Sequence, residues 1–136
     1  NQNDVQNQVK YDDASFTTTW SLDLHYPDPN NSKYFPGEEF FSYCVQTRIY
    51  PYHVPYRCLY SRNISNLFMS GRNISVTHVV FGSIRVQLTT AMMGEVVGMA
   101  ASVCKKYNVL PREVYLEHLD DLKALMKTGI PENNLQ

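Results

Sequence analysis

The sequence predicts an α+β fold, a small and mostly antiparallel sheet with two C-terminal helices. Three observations predict it. Trp20, Leu22 and Leu24 alternate with Ser21, Asp23 and His25, the period of two that a half-buried strand requires. Residues 39–50 are dense in aromatic and β-branched side chains, which suit a pleated surface. Over residues 89–107 and again over 111–127 the apolar spacing becomes helical.

The elements follow in chain order. Residues 1–10 are polar, rich in Asn and Gln and without periodicity, so a lead segment with no packed element is expected, ahead of a folded portion over 11–136. After the strand at 20–25, the prolines and the Asp-Pro-Asn-Asn-Ser run of residues 26–36 predict a loop. A strand over 39–50 and a second over 56–60, separated by Pro51 and Pro55, are expected to pair as a hairpin. Leu67, Phe68 and Met69 read as a short buried strand, and Gly71 just beyond it permits a positive φ or the close approach of a ligand to backbone. Gly82 and Ser83 predict another turn. The helix over 89–107 carries Gly94, Gly98 and Ser102 at i, i+4 and i+8, so one stripe is nearly bare backbone and is expected to lie against a strand or ligand. Pro111 suits the first turn of a last helix over 111–127, which Gly129 ends, with Tyr115, Leu119, Leu122 and Met126 on its core face.

Composition narrows the function. A chain of 136 residues fits one domain with its own core. Its 12 basic and 13 acidic residues nearly balance, and the basic ones form no stripe, which argues against a nucleic-acid partner. No apolar run approaches the roughly 20 residues needed to cross a bilayer. Cys44, Cys58 and Cys104 include no Cys-x-x-Cys pair and are expected as buried free thiols. With no HExxH or clustered carboxylate motif, no metal is expected.

Several residues carry candidate chemistry. Arg72 sets a cation beside Gly71. His25 and His78 are candidate proton donors or acceptors, the role an imidazole most often takes. Asp23 shares the face of His25 on a strand, as an acid/base pair or a structural pair would. Arg85 suits either a substrate carboxylate or a structural ion pair. Near Thr89, Thr90, Met92, Met93 and Gly94 a helix begins whose first N–H groups lack intrahelical partners and attract anionic oxygens.

The segments WSLDLH (20–25), VPYRCL (54–59), NLFMSGRNIS (66–75), TH (77–78), GSIRV (82–86) and MGEVVGMAA (93–101) occur in an order that closely resembles the C-terminal part of the bacterial FAD-dependent oxidoreductase family. Some members of that family carry a xanthan lyase label. The resemblance spans about residues 12–126. It implies FAD as cofactor, with Gly71 and Arg72 where the family's last cofactor-domain strand ends against FAD and Gly82 and Ser83 nearby. It also implies that the helix start, from Thr89 through Met92 and Met93 to Gly94, faces the flavin. Leu88, Thr89 and Thr90 stand where relatives often carry a proline, and Glu95 where many carry Gln. The GxGxxG turn that opens such a dinucleotide-binding half has no match among the six glycines. A fragment of a larger FAD-binding α/β protein is therefore expected, inactive by itself, with the missing N-terminal half as its partner and an uncovered face that favours a homo-oligomer. A polysaccharide lyase and a non-catalytic assembly module are the rival expectations.

Overall fold

A computed structural model describes residues 1–27, 30 and 42–129. The architecture is α+β. Strand β1 (Ala14–Thr18) pairs antiparallel with β4 (Tyr52–Pro55), and β2 (Leu22–Pro27) pairs antiparallel with β3 (Ser42–Thr47). The described helices are α1 (Gln2–Gln6), α2 (His78–Ile84), α3 (Gln87–Tyr107), α4 (Pro111–Glu117) and α5 (Leu119–Thr128). No single described helix is long and apolar enough to cross a membrane.

Several local expectations are corrected. Residues 2–6 form a helix, capped by the Asn1 side chain, because Val5 alone reaches the core, where it is 1% exposed. A single apolar anchor leaves no periodic trace. The strand expected at 56–60 lies earlier, at β4, and Tyr56–Leu59 is a 3-10 turn. Asp13 explains the change. Its carboxylate is fully buried and accepts the Arg57 backbone N–H at 2.9 Å and the guanidinium at 2.8 and 2.9 Å, while its carbonyl accepts the Tyr56 N–H at 2.7 Å. These bonds turn the chain where propensity alone favours extension. The expected hairpin is likewise replaced, since β4 pairs with β1 and β3 with β2. Residues 67–70 form no strand. They run extended beside the turn, with Met69 N–H donating to the Leu59 carbonyl at 2.7 Å and one bridge between Tyr60 and Phe68. The loop expected at 26–36 and the strand start at 39–41 lie mostly outside the described residues, although Tyr26 and Pro27 belong to β2.

Helix α3 supplies the central packing face. Met93, Val96, Ala100 and Val103 are buried on it, while Gly94, Gly98 and Ser102 are exposed on the other side, so among the described residues no strand covers that stripe. Asn108, at φ 56° with its N–H on the Cys104 carbonyl, ends the helix. The expected last helix is two, broken at His118, whose ring stacks on Tyr107 at 4.0 Å. The break re-aims the second half, so Val114 and Leu122 are both fully buried. Gly129, at φ 75°, closes α5. Among the cysteines, Cys58 and Cys104 are half-buried but Cys44 is exposed on β3, whose residues are all exposed.

Candidate functional site

The site is built on β2. Its period of two puts Asp23 and His25 on one face, and its register with β3 sets Gln46 opposite Asp23 and Cys44 opposite His25. Helix α2 crosses this strand at Gly82, where a Cβ would stand 2.5 Å from the Asp23 carbonyl oxygen and 2.7 Å from its nitrogen. Only hydrogen fits there. Gly82 and Ser83 thus lie inside a helix, and the turn expected at them is corrected by this contact. Ser83 is fully buried, its hydroxyl donating to the Val80 carbonyl at 3.0 Å and its own carbonyl accepting Thr18 Oγ1 at 2.7 Å. Arg85, at the end of α2, reaches back to Asp23 Oδ2 at 3.0 Å.

These contacts open a cleft of about 170 Å³ lined by Asp23, His25, Arg72, His78, Phe81, Gly82 and Arg85. Among the described residues that line it, Asp23 is the acidic side chain. Oδ1 accepts the Cys44 thiol at 2.8 Å and Gln46 Nε2 at 3.3 Å; Oδ2 accepts Arg85 and lies 3.3 Å from His25 Nε2. The Cys44 thiol, then Gln46 and His25, hold this carboxyl down at about 2. An ionised carboxylate only accepts, so His25 Nε2 carries its proton toward Asp23 and Nδ1 is left as the accepting atom, 3.5 Å from Ser42 Oγ. Asp23 in turn pushes the Cys44 thiol up, which keeps it protonated. Arg72 and His78 are exposed, and neither has a hydrogen-bond or ion-pair partner among the described residues.

The remaining sequence candidates fall into two groups. Gly71 has φ 88° and open space where a Cβ would stand, and its N–H points at Met93 Sδ at 3.3 Å. Gly94 lies near it, with Ser70 Oγ 4.0 Å from a Cβ built there. Thr89 and Met93 are core residues, 4% and 0% exposed, and Thr90 Oγ1 donates to the Gln87 carbonyl at 2.8 Å. Met92 lines a separate groove with Phe16, Val96 and Met126. Gln46 and Phe81 carry no site signal in the sequence, and Cys44 reads there only as a buried free thiol. The pairing of β2 with β3 is the signal that finds Cys44 and Gln46, and the chain stretch between those strands hides it.

Donor atoms of Asp23, His25 and Cys44 lie within 4.8 Å of one another, a mixed oxygen, nitrogen and sulfur set of the kind zinc takes. The Arg85 guanidinium on the same carboxylate opposes a cation there.

A sequence profile of the family described as FAD dependent oxidoreductase matches residues 1–125. The chain belongs to this family. Comparison with curated proteins and with solved structures finds no match. In this member of the FAD-dependent oxidoreductase family, the cleft joins Asp23 and His25 of the segment at 20–25 to Arg72, His78 and Arg85 of the neighbouring segments at 66–75, 77–78 and 82–86, some fifty residues on.

Proposed function

We propose that this chain forms the flavin-facing wall and substrate side of an FAD-dependent oxidoreductase whose dinucleotide-binding half lies in another part of the protein. The observation that carries the reading is the convergence of Asp23, His25, Arg72, His78 and Arg85 on one cleft. Its size agrees. At about 170 Å³ it is smaller than the roughly 300–1,000 Å³ of a drug-sized ligand site, so it suits part of a cofactor or substrate rather than a whole dinucleotide. Gly71 fits a flat or anionic group, because its open side leaves backbone approachable beside the Arg72 cation. In this reading the chain is inactive by itself.

FAD, when bound, supplies the two-electron acceptor. The chain's residues supply orientation and proton handling. Cys44 and Gln46 keep Asp23 ionised and Arg85 helps to fix it; Asp23 holds the His25 ring by Nε2; and His25 Nδ1 is thereby presented as a proton acceptor. His78, with no partner among the described residues, is the second proton-exchanging group at the cleft.

The test is a visible absorbance spectrum of the longer protein containing this segment, purified beside this chain mixed with FAD. A bound-flavin band in the longer protein, weakened by Gly71→Val, is the expected result. A well-folded longer protein that takes up no flavin when FAD is supplied overturns the reading.

A further inference from the structure

Charge is unevenly spent in the cleft. The one carboxylate among its described lining residues, Asp23, is engaged by four donors, from Cys44, Gln46, His25 and Arg85. Arg85 is therefore committed to the protein, and of the two alternatives its sequence left open, the structural ion pair is the one formed. Arg72 is not committed. It lines the same cleft, exposed, and neither it nor His78, which also lines the cleft, has a partner among the described residues. Among the described lining residues two guanidinium groups face one carboxylate, an excess of positive charge even with both imidazoles neutral.

We infer that Arg72, supported by His78, is the anion-reading residue of this cleft, and that it engages a carboxylate of the substrate. The inference rests on the oxidoreductase reading only in taking that carboxylate to be the substrate's. Its physical basis is separate. A guanidinium offers a planar fork that matches two oxygens of a carboxylate or a phosphate. Asp23 cannot quench it, since its oxygens are already occupied. Arg85 acts as a positioning residue, through Asp23 and His25, and not as the ligand's partner.

The experiment follows the His25 and His78 ring signals of the full chain by NMR while glycolate, ethylene glycol or inorganic phosphate is added at constant ionic strength. Saturable shifts with glycolate and none with ethylene glycol are expected. Arg72→Gln should weaken glycolate by roughly 10- to 100-fold, the loss typical of a hydrogen-bonded charge. Arg72→Lys should recover part of it. Arg85→Gln should move the Asp23 titration and weaken glycolate less than Arg72→Gln does. Phosphate binding more tightly than glycolate would reassign the anion to the cofactor's phosphates and overturn the substrate assignment. Equal shifts with ethylene glycol, or a glycolate affinity indifferent to Arg72→Gln, would overturn the subsite itself. Flavin uptake measured on the same variants within the longer protein separates the two readings. Anion binding kept without flavin removes the oxidoreductase reading alone, and flavin kept without anion binding removes this one.

Discussion

At the scale of single residues, the site depends on one hydrogen atom and one carboxylate. Gly82 lets α2 touch the β2 backbone, and the atoms that a side chain would meet there are main-chain atoms of Asp23, which cannot swing aside. Gly82→Ala is therefore expected to destabilise the chain by about 1–3 kcal/mol, the cost of overpacking. A urea midpoint measurement checks this, and an unchanged midpoint contradicts the contact. Asp23 gives a prediction with a sign. Its folded value, about 2, lies below the roughly 3.9 of an unfolded Asp, so whatever its ionisation contributes is complete above about pH 4 and is lost as pH falls toward 2. Carbon NMR of the carboxyl should show this low titration, and Cys44→Ala should move it up toward the ordinary carboxylate range. The face shared by Asp23 and His25 was legible from period two alone. Their partner Cys44 was not, because its place depends on which strand pairs with β2.

At the scale of elements, the β2–β3 ribbon is turned in an uncommon sense. Its polar face, with Asp23 and His25, meets α2 and the cleft, whereas Tyr26, Tyr43 and Val45 on the other face are exposed and the two tyrosine rings stack at 5.6 Å. The small-residue stripe of α3 is exposed as well, and a Cβ at Gly98 would meet nothing within 4 Å. Without a neighbour, a helix-interior glycine only costs entropy, so Gly98→Ala is expected to raise the chain's stability by about 0.5–1 kcal/mol in a denaturation curve. A loss instead would mean that the stripe packs more closely than it does here. Helix α3 itself was readable from spacing and its left-handed end at Asn108. The break at His118 was not, because the Tyr107 ring that stacks on it comes from another helix.

At the scale of the whole molecule, stability is concentrated around α3, β1, β4 and the 3-10 turn, where Tyr56, Leu59, Met93, Ala100, Val103, Val114 and Leu122 are almost fully buried. Every residue of β3 is exposed. Hydrogen exchange should therefore release the β3 amides through local opening well before those of Val96 and Ala100, and equal protection would mean that the ribbon belongs to the same cooperative unit. The cleft spans this boundary, between a firm helix-based core and an open two-stranded ribbon. The sequence by itself determined the α+β class, the helical C-terminal half and the ordered segments that mark the FAD-dependent oxidoreductase family, because periodicity and motif order are local properties of the chain. Tertiary structure alone decided strand pairing, the fate of residues 56–60 and the commitment of Arg85 to Asp23. Those outcomes turn on the buried Asp13 carboxylate, the bare Gly82 contact and the β2–β3 register, which join residues tens of positions apart.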